Sequence, residues 1–118
     1  MLSEISRLLK RLAVAEGIKM VALYRIDGVP LCVKIGTTVR EMTPVLYWLE
    51  NQIKEMLHSI SQQNLDEASF KFNNMVIMLI PVSKTTVLGI IAREEASIYK
   101  LHIDIKTTCM KIGKLVAT

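Results

Sequence analysis

The sequence predicts a three-layer α/β (α+β) sandwich, with one antiparallel sheet covered by helices on both faces. Three observations predict it. Apolar, β-branched runs and stretches of helical periodicity follow one another in the order helix, strand, strand, helix, three strands, helix. Short turns join successive strands into hairpins, which makes the sheet antiparallel. The strands at 18–26 and 75–82 are apolar on both faces, so each face needs a helical cover.

Residues 2–15 read as the first helix. Ser3 caps it, because its hydroxyl accepts from a free amide of the first turn. Leu2, Ile5, Leu8, Leu9, Leu12 and Ala13 make one apolar face, with Arg7, Lys10 and Arg11 mainly off it. Gly17 is a natural stop, since glycine enters the left-handed conformation that closes a helix. Residues 18–26 form a central strand dominated by Val, Ile, Leu and Tyr. Asp27-Gly28 predicts a two-residue type I′ turn, which needs positive φ at both positions. Residues 29–35 return as the second strand. Pro30 has no amide hydrogen, so this strand sits at a sheet edge or bulges there, and Gly36 ends it.

The second helix, from 38 to about 63, is the longest. Met42, Val45, Leu46, Leu49, Ile53, Met56, Leu57 and Ile60 keep one face in register over several turns. Two starts fit: Thr38 with Glu41 as a capping box, or Thr43 followed by Pro44 at the first helical position. Residues 67–72 then alternate, with Ala68, Phe70 and Phe72 on one side and Ser69 and Lys71 on the other. Asn73-Asn74 supplies a turn, because Asn tolerates positive φ. Residues 75–82 form a continuous apolar strand, Ser83-Lys84 turns the chain, and 85–93 form the last strand. Gly89 in that strand marks the close approach of another group. Residues 97 to about 116 form the final helix, with Ile98, Leu101, Ile105, Cys109, Ile112 and Val116 as its buried stripe.

Composition narrows the function classes. A chain of 118 residues fits one domain over 1–118 and buries enough surface to need neither disulfide nor metal. Cys32 and Cys109 read as free thiols of a reducing compartment. No signal peptide is evident, and the longest apolar run is far shorter than the ~20 residues a membrane helix needs, so the expectation is a soluble, cytoplasmic protein. The net charge of +4 lies on the terminal segments, in Arg7, Lys10, Arg11, Lys100, Lys106, Lys111 and Lys114. This basic surface fits an acidic protein partner, a membrane bearing anionic lipid, or a solvated face whose Lys111 and Lys114 favour the helix dipole. It lacks the density of a nucleic-acid site. No phosphate loop, nucleophile elbow or carboxylate pair suggests an enzyme, no cofactor is implied, and His58 and His102 lack metal-ligand spacing.

Several segments together resemble the Roadblock family of dynein-associated light chains. Ile26-Asp27-Gly28-Val29-Pro30-Leu31 resembles its first hairpin, Met78-Leu79-Ile80-Pro81-Val82 the end of its fourth strand, and Leu88-Gly89-Ile90-Ile91 its fifth. Longin and profilin-like folds share the sheet. The resemblance implies strand order 2-1-5-4-3, with the long helix on one face and the terminal helices on the other. It also implies pairing of two copies through the long helix and third strand, and a role as a non-catalytic platform for Ras-like small GTPases or as a scaffold.

Tyr47 and Trp48 lie off the long helix's core stripe and either anchor an interface or, with a different helix rotation, enter the core. On the interface reading the homodimer seam takes Tyr47, Trp48, Asn51, Gln52, Glu55 and Ser59 from the helix, and Phe70, Lys71 and Phe72 from the edge strand. Arg40, at the helix start, reads as a surface residue. The expected function is a homodimer that binds and regulates a Ras-like small GTPase. The alternatives are a structural adaptor without a nucleotide-dependent partner and a monomeric ligand-sensing domain of longin or profilin type.

Overall fold

The computed structural model describes residues 2–15, 17–36, 51–52, 54–59, 67–72, 74–94 and 98–116, with the side chains of all but 70, 72 and 98–100. The elements are α1 (Leu2–Ala13), β1 (Ile18–Arg25), β2 (Pro30–Ile35), α2 (helical at 51–52 and 54–59), β3 (Ala68–Phe72), β4 (Met75–Pro81), β5 (Thr86–Arg93) and α3 (Ile98–Val116). All strand pairs are antiparallel, in the order β2-β1-β5-β4-β3 that the resemblance implies.

Successive side chains of a strand point to opposite faces, and here both directions lead into a core. On one face Val21, Leu23, Leu88, Ile90, Val76 and Met78 meet Ile5, Leu9 and Leu12 of α1 and Leu101, Ile105 and Ile112 of α3. On the other, Met20, Ala22, Tyr24, Ile77, Leu79, Val87 and Ile91 pack with Leu57 of α2, with Met56 at the margin. Each such side chain taken fully out of water contributes about 1.5–3 kcal/mol. Met56 and Leu57 thus take the core-facing positions their periodicity predicts; Met42, Val45, Leu46, Leu49, Ile53 and Ile60 lie outside the described residues, as do Thr38, Glu41, Thr43 and Pro44. In α3 the buried stripe also includes Thr108, whose hydroxyl is satisfied by donating to the Asp104 carbonyl at 2.8 Å.

The first hairpin differs from its sequence reading. The Arg25 N–H donates to the Val29 carbonyl and the Gly28 N–H to the Arg25 carbonyl, both at 2.8 Å. Three residues, Ile26, Asp27 and Gly28, therefore form the loop, with Gly28 at φ +96. The Ile26 N–H is committed to the Thr85 carbonyl at 2.8 Å on the β5 side, so it cannot close a two-residue turn with Val29. Asp27 braces the loop: its carboxylate accepts from the Val29 amide at 3.3 Å and from the Arg25 guanidinium. The hydrogen bond from Arg25 holds the Asp27 carboxyl below its ordinary range.

Other boundaries move by one or two residues. α1 stops at Ala13, where the Ala15 N–H turns back to the Leu12 carbonyl and Gly17 adopts φ +90. Leu2, read as part of the apolar face, is 61% exposed, whereas Ile5, one turn on, is buried in the core. β2 is both an edge strand and bulged: its register with β1 shifts between Leu23 and Tyr24, next to Pro30. The β4–β5 turn is closed by Ser83, whose hydroxyl oxygen accepts from the Thr85 and Thr86 amides at 3.2 and 3.1 Å.

Two glycines mark close approaches. A Cβ on Gly89 would lie 3.1 Å from the Tyr24 ring and 3.2 Å from Leu79 Cδ2. The Tyr24 side chain thus occupies the space that a β5 side chain would fill. A Cβ on Gly113, within α3, would fall 2.9 Å from the Val82 carbonyl oxygen, so glycine lets the helix seat against the β4–β5 turn. Gly89→Val is expected to lower stability by about 1–3 kcal/mol in urea titration, through overpacking against Tyr24. Gly113→Ala is expected to destabilise as well, by roughly 1 kcal/mol, despite alanine's better helix propensity, because the helix must lift off a backbone atom. A stabilised Gly113→Ala variant would contradict that packing.

Candidate interaction surfaces

The sheet has two edges of different character. β2 carries Pro30 and a bulge, both of which obstruct further strand pairing. β3 pairs with β4 in unbroken register from Ala68↔Leu79 to Phe72↔Met75, and among the described residues no strand lies on its other side. Its backbone is a free, regular template for another strand. Within β3, Phe70 pairs with Ile77 and Lys71 with Val76; the exposed Lys71 ammonium reaches back to the Glu94 carboxylate at 3.3 Å.

α2 lies on the face that packs Leu57. Asn51 and Glu55, four residues apart, are exposed on the same side of the helix. Gln52 and Ser59 are half-buried. The helix is seated over the first hairpin, where a Cβ on Gly28 would come within 2.7 Å of Lys54 Cγ. Tyr47 and Trp48, the aromatic pair of the expected seam, and Arg40 lie outside the described residues.

The opposite layer is formed by α1 and α3. A cleft of about 440 Å³ between them is lined by Glu4, Arg7, Leu8, Arg11, Lys111, Lys114 and Leu115. It continues past Leu12, Ala15, Asp104, Thr107 and Thr108. The helices therefore run antiparallel, and four of the seven basic residues singled out in the sequence converge on one cleft. Lys10 is exposed on α1, and Lys106 lines a separate groove. The seventh, Lys100, lies in the first turn of α3.

That second groove, about 260 Å³ and mostly apolar, lies between α3 and β4 and is lined by Glu67, Met78, Ile80, His102, Ile105, Lys106, Cys109 and Met110. Burial, with a smaller contribution from the Glu67 charge, pushes the Cys109 thiol up to about 11, so it stays protonated and poorly nucleophilic at neutral pH. Cys32, on β2, is also a free thiol. His58 and His102 are carried by helices on opposite faces of the sheet, and among the described residues no group of three or more His, Cys, Asp or Glu side chains is placed to hold a metal ion. Among the described residues no helix is long and apolar enough to cross a membrane.

Two features escaped the sequence reading. Val29, Leu31 and Val33 form an exposed apolar row along β2, at 40–43% exposure. Their alternation with Pro30, Cys32 and Lys34 is visible in the sequence, but only the edge position turns it into surface. Ile103 and Met110 of α3 are 71% and 65% exposed. They lie outside the predicted stripe of that helix, and the spacing of seven was the available signal.

No curated protein sequence matches the chain. Among solved structures, it superimposes on Myxococcus xanthus MglB with a TM-score of 0.75 at 15% identity, covering 98% of this chain and 96% of that one. The Roadblock/LC7 domain from Streptomyces avermitilis gives a TM-score of 0.72 at 12% identity, with 96% and 98% covered. Acanthamoeba castellanii profilin IA gives 0.63 at 8% identity, with 93% and 97% covered. The architecture is that of the Roadblock/LC7 fold, with profilin as a more distant likeness. In sequence, the AF0774-like protein family matches residues 2–106, and the chain belongs to that family.

Proposed function

We propose that two copies of this protein pair through α2 and the β3 edge, and that the pair is a non-catalytic, cytoplasmic platform that binds and regulates a Ras-like small GTPase. The observation that carries the pairing is the open, unbroken β3 edge, set against a β2 edge blunted by Pro30 and its bulge. A self-complementary edge beside a helix is the geometry of a two-fold dimer. The Roadblock fold supports the GTPase reading, since the family resemblance implies such a partner. The seam takes Tyr47, Trp48, Asn51, Gln52, Glu55 and Ser59 from the second helix, and Phe70, Lys71 and Phe72 from the edge. Regulation follows from unequal affinity for the two nucleotide states of the GTPase: the platform shifts the population toward the conformation it binds better.

Trp48→Asp should weaken pairing by at least about 30-fold, as removal of a buried aromatic anchor does. Light scattering across a dilution series reads the shift. Asn51→Arg combined with Glu55→Arg, confined to exposed positions, should weaken it with the fold intact by circular dichroism. Unchanged dimer mass in both variants would refute the seam, and a wild-type monomer at micromolar concentration would refute the pairing. For the partner, affinity capture from the native host with GTP-loaded and GDP-loaded extracts should recover a small GTPase in one state preferentially. Capture that is indifferent to nucleotide would leave a structural adaptor as the function.

A further inference from the structure

We propose that the outer face of the α1–α3 layer is a docking surface for a membrane bearing anionic phospholipid. α1 and α3 hold seven of the chain's fifteen Lys and Arg residues but only two of its eleven acidic ones, Glu4 and Asp104. Seven less two gives these helices +5, whereas the rest of the chain is −1, so the basic excess is concentrated on one layer of the fold. Arg7, Arg11, Lys111 and Lys114 converge on the cleft between the helices. Among the described residues none of the four forms an ion pair; the two salt bridges there are Arg25–Asp27 and Lys71–Glu94. The helix dipole accounts for Lys10, Arg11 and Lys114, which lie in last turns, but not for Arg7 or Lys106 upstream of them; Lys111, expected from the sequence to favour the dipole, lies more than a turn before the end of α3.

The apolar residues decide the kind of anion. Ile103 and Met110, 71% and 65% exposed, lie on the outward side of α3, opposite its buried Leu101, Ile105 and Ile112. Val14, just past α1, is 73% exposed. Long apolar side chains projecting among unpaired cations suit an interface where headgroups meet acyl chains. An acidic polypeptide would use the cations and gain little from the isolated apolar tips. The layer lies across the sheet from α2, so the inference does not depend on the proposed pairing or on the GTPase.

The test is co-sedimentation of the full chain with phosphatidylcholine vesicles, with and without phosphatidylglycerol. The protein should pellet with the mixed vesicles, remain in solution with pure phosphatidylcholine, and be released by salt. Arg7→Gln with Lys111→Gln should lower the partition coefficient by about 30-fold, since each cation near an anionic surface counts for roughly a fivefold change. Ile103→Ser with Met110→Ser should weaken vesicle binding while leaving binding to soluble poly-glutamate unchanged. All four positions are exposed, and circular dichroism verifies folding. Failure to pellet with phosphatidylglycerol vesicles at low salt would overturn the inference. So would insensitivity to Arg7 and Lys111, or poly-glutamate binding without vesicle binding, which would make an acidic polypeptide the occupant.

Discussion

Three adjacent strands without a polar face govern this structure. β1, β5 and β4 bury nearly every side chain they carry, in both directions. Leaving either side of such a sheet in water would expose a large contiguous apolar area, so the chain must cover both. One side receives α1 and α3 and the other receives α2. The same requirement orders the strands. β5, buried from Thr86 to Ala92, takes the centre between β1 and β4, and the half-exposed β2 is left at one edge. Packing across the sheet is tight enough to fix single atoms: the Tyr24 ring lies where a β5 side chain would otherwise stand, which makes Gly89 a packing requirement.

Much of this is legible from the residues because burial leaves a periodic trace. Apolar runs located β1, β4 and β5, alternation located β3, and the spacing of Leu101, Ile105 and Ile112 located the buried stripe of α3. Pro30 announced an edge or a bulge, and the strand is both. The details that went astray depend on contacts distant in sequence. Asp27-Gly28 carries the local signature of a tight two-residue turn, but Ile26 donates its amide to Thr85, nearly sixty residues on, and the loop lengthens by one. Leu2 has the right period yet stands 61% exposed at the start of α1. For the interaction surfaces, the sequence shows which residues are surplus to the core but not which of them gather. Arg7, Arg11, Lys111 and Lys114 become neighbours only because α1 and α3 lie antiparallel on one face.

The two covering layers differ in chemistry, and the edges determine how that difference would be used. Strand pairing through β3 in an antiparallel sense places a two-fold axis perpendicular to the sheet. Such an axis carries each layer onto the same side as its counterpart. Two α2 helices would then share one face of a continuous sheet, while both basic α1–α3 layers would share the other. The assembled face would carry twice the positive charge over a broad surface, and a face with two attachment points holds on far more strongly than one with a single point. Pairing through β2 would bring the same faces together geometrically, but Pro30 removes an amide from that edge and the bulge twists its backbone away from a partner. A blunted β2 and an open β3 therefore favour one geometry for the proposed pair, in which the two α2 helices and the two basic layers would lie on opposite sides of the same sheet.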